Sequence, residues 1–197
     1  MKKVIITIGR QFGAGGREIG KELAAKLNIP YYDKEILRKA AKISGLSEAY
    51  LENEDEKVTK SFLYSLVMGT RTLTGQPSLE ELTREAEREA VLSVADEGSC
   101  IIVGRCADYI LSGCEGLLRI FIMAEEKQRV ERVSKRDNLD IREADLKIKK
   151  MDKRRAAYYN MYTDHNWGNA GNYDLCINMS RIEKEKVIEM IVMNLNN

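Results

Sequence analysis

The fold class follows from one stretch, Val4-Ile5-Ile6-Thr7-Ile8-Gly9-Arg10-Gln11-Phe12-Gly13-Ala14-Gly15-Gly16-Arg17-Glu18-Ile19-Gly20. Its first five residues are apolar or β-branched and predict a strand that is buried on both faces. A turn with four glycines follows, and the chain then has the pattern of a helix that continues to Leu27. A strand, a glycine-rich turn and a helix N-terminus form a nest of backbone N–H groups that attracts phosphate oxygens. The sequence therefore predicts a phosphate-binding loop formed by Gly13, Ala14, Gly15, Gly16, Arg17 and Glu18.

This loop departs from the common pattern G-x-x-x-x-G-K-[ST], which needs Lys after Gly15 and then Ser or Thr. The chain has Gly16 and Arg17 at these places. A dinucleotide-binding G-x-G-x-x-G that begins at Gly13 would put its third glycine at Glu18, where a carboxylate would face a pyrophosphate. The negative charge of Glu18 therefore excludes the dinucleotide-binding interpretation. A plain strand-to-helix turn, in which glycine serves close packing, remains the alternative to phosphate binding.

Composition predicts one soluble domain over residues 1–197. The chain has 197 residues, is 44% apolar and carries a formal net charge of +1, which suits a single core. Its short apolar start is neither a signal peptide nor a membrane span, and four cysteines without C-x-x-C spacing indicate reduced thiols. We therefore expect a cytoplasmic protein with no membrane partner. Balanced charge argues against a nucleic-acid partner, and a single histidine argues against a zinc site.

Hydrophobic patterns predict an α/β fold. Strands are expected at 4–8, 29–33, 100–103, 117–122 and 173–177. Helices are expected up to 27 and at 34–43, 47–97 (broken at Gly75-Gln76-Pro77), 105–111, 126–136, 142–162 and 183–195. Alternating strands and helices imply a parallel five-stranded sheet flanked by helices, with the ligand beyond the carboxyl ends of the strands. The glycine loop, Asp33, the Gly104-Arg105 step and the segment after Ile122 stand at these ends.

Four motifs occur in a family-specific order. After the glycine loop come Tyr31-Tyr32-Asp33-Lys34-Glu35, then Val103-Gly104-Arg105-Cys106-Ala107-Asp108-Tyr109, then Asp152-Lys153-Arg154-Arg155-Ala156. This order resembles the nucleoside monophosphate kinases, and within them the cytidylate kinase-like family, over nearly the whole chain. The resemblance implies a P-loop kinase fold with a helical monophosphate-binding insertion over 34–97 and a lid region over 126–165. It also implies transfer of the γ-phosphoryl group of ATP, with Mg²⁺, to a nucleotide such as CMP or dCMP.

On the donor side, the family's lysine falls on Gly16 and its metal-side threonine falls on Glu18. Phosphoryl transfer needs positive charge at the β and γ oxygens. Arg17 is the nearest replacement for this cation, because its planar fork can hold two oxygens, and Arg10 and Lys21 are further candidates. Glu18 is a candidate Mg²⁺ ligand, although an acidic residue in the first turn also favours the helix dipole.

On the acceptor side, the resemblance assigns residues from each motif. Asp33 lies where the family has a carboxylate, and Arg105 matches the arginine of a Gly-Arg-Asp step in which Cys106 replaces the carboxylate. Asp152 and Arg155 reproduce the family's Asp-x-x-Arg on one helix face. The predicted acceptor-binding residues are Asp33, Arg38, Arg105, Asp108, Asp152 and Arg155.

Basic residues of the same long helix are the predicted lid cations for catalysis, namely Lys149, Lys153 and Arg154. A solvated amphipathic helix with pairs such as Asp145 to Lys149 explains much of this charge run as well.

The sequence thus predicts a phosphotransferase whose partners are ATP and a small phosphate acceptor, and it leaves homo-oligomerisation open. Two other functions remain open. One is a nucleotide-binding regulatory protein that has lost turnover, and the other is a kinase for a small metabolite.

Overall fold

A computed structural model describes residues 3–45 and 79–195. All paired strands in its five-stranded sheet run parallel. The strands are β1 (Ile5–Arg10), β2 (Tyr31–Tyr32), β3 (Cys100–Val103), β4 (Leu117–Met123) and β5 (Leu175–Asn178). Their spatial order is β2-β3-β1-β4-β5, so β1 is the central strand. The glycine loop therefore leaves the sheet at the middle of its carboxyl edge, where ligands of such sheets bind.

Helices flank this sheet. They are α1 (Gly16–Leu27), α2 (Glu35–Ser44), α3 (Leu79–Asp96), α4 (Ala107–Ile110), α5 (Glu126–Asp137), α6 (Ile141–Tyr162) and α7 (Lys184–Leu195). The predicted parallel five-stranded fold is confirmed. Positions 46–78 of the expected helical insertion, with the expected break at Gly75-Gln76-Pro77, lie outside the described residues. The single domain over 1–197, the insertion over 34–97 and the lid region over 126–165 stay predictions.

Alternate side chains of β1 enter two separate cores. Ile6 and Ile8 lie in a buried cluster with Leu23 of α1 and Ile191 of α7. Ile5 points to the opposite face and lies in a second cluster with residues of α2 and α3. Burial on both faces explains why the strand is a continuous apolar run.

Local signals explain where α1 and α6 begin. Gly15 has a left-handed φ of 92° and precedes the first residue of α1, which lets the chain turn sharply from loop to helix. Asp140 and Glu143 form a reciprocal capping box, so α6 starts at Ile141, one residue before the predicted start.

Strands β2 and β5 and helix α4 are shorter than predicted, and β2 covers only Tyr31–Tyr32 of the expected 29–33. Helix α4 begins at Ala107, because Gly104, Arg105 and Cys106 all have left-handed φ values of 82°, 59° and 51°. A right-handed helix cannot include them. Strand β5 begins at Leu175, because a 3₁₀ turn at Ala170–Asn172 brings the chain into the sheet two residues later than expected.

Two glycines before β4 provide a matched test of the packing at the start of the sheet. Gly113 and Gly116 have φ values of 91° and 78°, but a Cβ on Gly113 would meet nothing, whereas one on Gly116 would lie 2.1 Å from the Lys3 carbonyl oxygen. We expect Gly113→Ala to lower the free energy of unfolding by about 1–2 kcal/mol through backbone strain alone. Gly116→Ala should lower it by about 1–3 kcal/mol more through the clash. Urea denaturation measures both, and equal losses would contradict this packing.

Candidate functional site

The glycine loop presents backbone N–H groups at the N-terminus of α1. Gly13 and Gly15 have left-handed φ values of 78° and 92° and turn the chain back on itself. Among the described residues, no acceptor takes a hydrogen bond from the N–H groups of Gly13, Gly15, Gly16 or Arg17. Such a group of N–H donors at a helix N-terminus suits phosphate oxygens.

A carboxylate of α6 binds the backbone of the residue that precedes this loop. Asp152 Oδ1 accepts a hydrogen bond of 2.7 Å from the Phe12 N–H, and its Oδ2 accepts one of 2.5 Å from Arg129 Nη1. The same Nη1 donates to the Phe12 carbonyl oxygen at 3.2 Å. Both polar groups of the Phe12 backbone are thereby fixed by one ion pair between α5 and α6. We call these three residues the loop clamp.

Two more arginines bind carbonyl oxygens of the loop. Arg155 Nη1 donates to the Arg10 carbonyl oxygen at 2.9 Å, and Arg132 Nη1 donates to the Gly13 carbonyl oxygen at 2.9 Å. The Arg155 guanidinium also lies 5.4 Å from the centre of the Phe12 ring, within cation–π range. Burial and the neighbouring Arg10 charge lower the pKa of Arg155 well below its usual value. The loop backbone is thus held by side chains whose charges surround it.

A cavity of about 510 Å³ opens beside the loop. Of the described residues, seven basic side chains line it, against two acidic ones, Asp33 and Asp108. The basic residues are Arg10, Arg17, Lys34, Arg105, Lys147, Arg154 and Arg155. This excess of positive charge attracts an anionic ligand.

Asp33 lies between two of these arginines. Its Oδ2 is 2.6 Å from Arg17 Nε, and its Oδ1 is 3.7 Å from Arg10 Nη2. The Arg17 side chain is 50% exposed, whereas those of Arg10 and Asp33 are 15% and 14% exposed. Arg17, the predicted catalytic cation, therefore forms an ion pair with a predicted acceptor-binding residue at the rim of the cavity.

Arg105 is held by a residue that the motifs do not contain. Its Nη1 is 2.9 Å from Glu87 Oε1, and Tyr158 donates a hydrogen bond of 2.5 Å to Glu87 Oε2. Glu87 is buried on α3 and joins the Gly104-Arg105 step to α6. Burial and the Glu87 charge raise the pKa of Tyr158 well above its usual value, so its hydroxyl remains a donor.

Asp108 lines the cavity beside a group of aromatic side chains, which we call the aromatic wall. Burial raises the pKa of this carboxyl above its usual value, and a hydrogen bond of 2.7 Å from the Tyr159 hydroxyl partly offsets the shift. Tyr173 and Trp167 continue the wall, and both pack against Phe121 of β4. A planar ring fits such an aromatic surface.

Arg17 and the predicted site residues outside the glycine loop fall into two groups. Six line the cavity, namely Arg17, Asp33, Arg105, Asp108, Arg154 and Arg155. The other four do not line the cavity. Asp152 binds the loop instead, and Lys149 forms exposed ion pairs with Asp145 and Glu126. Arg38 and Lys153 are exposed to solvent. The roles assigned to all these residues stay predictions.

Glu18 is the predicted metal ligand. Its Oε2 lies 3.7 Å from the position that a Cβ on Gly15 would take, at the mouth of the loop. Within residues 3–45 and 79–195, no three His, Cys, Asp or Glu side chains form a metal-binding cluster. Mg²⁺ commonly binds through one or two carboxylates and the phosphates of its nucleotide. Glu18 fits as such a carboxylate, and this role stays a prediction.

Sequence reasoning missed Glu87, Arg129, Arg132 and Tyr158. A signal existed for Glu87, because it falls on the same helix face as Ala90, Val91 and Val94, which are buried. A charged residue on an apolar face indicates a buried partner. The contacts of Arg129 and Arg132 bridge more than a hundred residues of sequence and leave no local signal.

No helix within the described parts of the chain has the length and apolar character needed to cross a membrane.

The buried Glu87 ion pair generates a prediction on stability. Glu87→Ala removes the 2.9 Å partner of Arg105 and the acceptor of the buried Tyr158 hydroxyl. We expect a loss of about 3 kcal/mol in the free energy of unfolding, as for other buried pairs that lose one member. Glu85→Ala is the control, because Glu85 forms an exposed pair with Arg88 on the same helix and should lose less than about 1 kcal/mol. Denaturant unfolding that gives equal losses would contradict the structural role of Glu87.

Known proteins resemble this chain in sequence. The sequence model of the cytidylate kinase-like family matches residues 5–181. The cytidylate kinase of Pyrococcus horikoshii is 29% identical over 192 residues, which cover 96% of this chain and 86% of that protein.

Solved structures share the fold. An uncharacterized protein from Eubacterium ventriosum is 28% identical and has a TM-score of 0.74, with 99% of both chains covered. Shikimate kinase from Bacteroides thetaiotaomicron is 16% identical and has a TM-score of 0.57, with 98% of this chain and 99% of that chain covered, which is a likeness of fold alone. Since the family match spans most of the chain, this protein belongs to the cytidylate kinase-like family.

Proposed function

We propose that this protein transfers the γ-phosphoryl group of ATP to a nucleoside monophosphate such as CMP or dCMP. One observation carries the proposal. A loop with available N–H groups and a basic cavity of about 510 Å³ lie side by side at the carboxyl edge of the sheet, and Arg17 belongs to both. Phosphoryl transfer needs a donor site and an acceptor site in this arrangement.

The donor phosphates fit the loop. The N–H groups of Gly13, Gly15, Gly16 and Arg17 suit the β- and γ-phosphate oxygens of ATP. Glu18 would hold the Mg²⁺ ion of a bound nucleotide through its carboxylate, directly or through water, and that ion would supply positive charge at the phosphates.

The acceptor fits the cavity. Arg105 and Arg155 lie on its basic side and suit the phosphate of a monophosphate, while Tyr159, Trp167 and Tyr173 offer an aromatic surface for a base. A volume of about 510 Å³ lies within the usual range for small-molecule sites. Family members named cytidylate kinase support this substrate class.

The reaction follows from these positions. An oxygen of the acceptor phosphate attacks the γ-phosphorus of ATP, and the bond from that phosphorus to the bridging oxygen breaks and releases ADP. The protein supplies positioning and positive charge. Arg17 and Arg154 border the cavity and suit this role, whereas Lys149 and Lys153 require a closing movement of α6 to reach it.

One feature favours a second function, a nucleotide-binding regulator without turnover. Gly16 and Arg17 stand where the common loop pattern has Lys and Ser or Thr. A loop of this kind still binds phosphate through its N–H groups, while catalysis depends on another cation.

A panel assay separates these functions. We expect ADP formation with ATP and Mg²⁺ to be fastest in kcat/KM with CMP or dCMP, compared with AMP, UMP, shikimate and gluconate. The product is identified by ³¹P NMR as the nucleoside diphosphate. Phosphorylation of shikimate or gluconate alone would make the protein a metabolite kinase. Tight ATP binding without ADP formation from any acceptor would support the regulator.

The loop clamp generates a prediction that runs opposite to the family pattern. Asp152 contacts the loop backbone and not the cavity, so its loss should distort the donor site. We expect Asp152→Ala to weaken ATP binding by about tenfold or more, the value of one charged hydrogen bond, with little change in KM for the acceptor. Isothermal titration calorimetry gives the first quantity and steady-state kinetics the second.

Asp145→Ala is the matched control, since Asp145 pairs with Lys149 on the same helix away from the cavity. It should change neither quantity. A rise in acceptor KM for Asp152→Ala with unchanged ATP affinity would instead support the acceptor role that the Asp-x-x-Arg motif implies.

A further inference from the structure

We propose that Arg10 takes the place of the loop lysine, because Arg10 and Gly16 have exchanged the large and small side chains of the common pattern. The inference rests on the proposed function and assigns one of its catalytic groups. In G-x-x-x-x-G-K-[ST] with its second glycine at Gly15, the first glycine falls on position 10 and the lysine on position 16. This chain has an arginine at the first position and a glycine at the second.

The exchange has a steric basis. A Cβ on Gly16 would lie 2.8 Å from Arg10 Cβ, 3.1 Å from Arg10 Cγ and 3.5 Å from Ile8 Cγ2. The first of these distances is shorter than packed carbon atoms tolerate, and it joins two Cβ atoms, whose positions follow from the backbone and do not change when a side chain rotates. A side chain at position 16 and an arginine at position 10 therefore exclude each other. Gly16 is the residue that Arg10 requires.

The Arg10 guanidinium lies where a transferring group would need charge. A Cβ on Gly104 would lie 2.2 Å from Arg10 Nη1, so the guanidinium rests directly on the Gly104 backbone. Its Nη2 is 3.7 Å from Asp33 Oδ1, and the residue lines the cavity. The cation thus stands between the glycine loop and the wall that carries Arg105. A phosphate in the loop and a phosphate in the cavity would both lie next to this position.

The Arg10 backbone is also fixed. Arg155 donates to the Arg10 carbonyl oxygen at 2.9 Å, and β1 pairs Arg10 with Ile122 of β4. A cation on a strand end that is tied in this way is held in place before the reaction, which favours electrostatic stabilisation of the developing charge. An oxygen of the acceptor forms the new bond to phosphorus and ADP leaves with the electrons of the old one, so Arg10 contributes its charge alone and takes part in no bond change.

Arg17 is the rival for this role. Its Nε is 2.6 Å from Asp33 and its side chain is half exposed, so water screens its charge more than that of Arg10. Substituting each of the two arginines in turn separates their roles.

The first experiment tests the charge. Arg10→Gln keeps the stem that packs on Gly16 and removes the cation. We expect kcat to fall by about 100-fold and ATP affinity by about tenfold, with ADP affinity unchanged, because the missing contact is to the γ-phosphate. Arg10→Lys should recover part of kcat. Lys26→Gln, which removes a charge from the last turn of α1, is the control and should change none of these values. Arg10→Gln with unchanged kcat, or Arg17→Gln with the larger loss, would overturn the proposal.

The second experiment tests the exchange. Gly16→Lys alone should lower the urea midpoint of unfolding and the turnover. Gly16→Lys combined with Arg10→Gly restores the first glycine and the lysine of the common pattern, and it should recover both quantities relative to Gly16→Lys. Additive effects in this double-mutant cycle would overturn the steric argument. If the native protein forms no ADP with any acceptor, the proposed function fails. The Arg10 proposal is then decided by the ratio of ATP to ADP affinity in Arg10→Gln, and an unchanged ratio would overturn it.

Discussion

The ion pair between Asp152 and Arg129 is the constraint on which the site depends. A glycine loop has little conformational preference of its own, so its shape must be imposed by its surroundings. Here one carboxylate accepts the Phe12 N–H, and the arginine paired with it donates to the Phe12 carbonyl oxygen. Helices α5 and α6 thereby fix the loop from outside the sheet. Available N–H groups can point at a ligand only because the polar groups behind them are already satisfied.

The same logic orders the charges around the cavity. Seven basic side chains repel one another, and each needs a partner that holds it without neutralising the whole site. Asp33 holds Arg17 near Arg10, Glu87 holds Arg105, and a loop carbonyl oxygen holds Arg155. These partners lie behind or between the arginines, so the cavity keeps its positive surface. Preorganised charge of this kind requires little rearrangement when a phosphoryl group is transferred.

Sequence patterns predict the layout of the fold better than they predict its side-chain contacts. The five strands, the helix after the glycine loop and the placement of Asp33 and Arg105 at the carboxyl edge follow from hydrophobic periodicity and motif order. Asp152 was recognised as a motif residue, but its bond to Phe12 joins positions 140 residues apart and has no local signal. Sequence reasoning also missed the left-handed turn at Arg105 and Cys106, because neither residue type favours positive φ.

The most direct test of the account is a crystal structure of the protein with a non-hydrolysable ATP analogue and CMP. The account predicts that the β- and γ-phosphate oxygens accept hydrogen bonds from the N–H groups of Gly13, Gly15 and Gly16. It also predicts that the CMP phosphate lies beside Arg105, with the Arg10 guanidinium between the two phosphates and the loop clamp unchanged. Nucleotide phosphates bound away from the loop, or an Arg10 side chain turned out of the cavity, would contradict it.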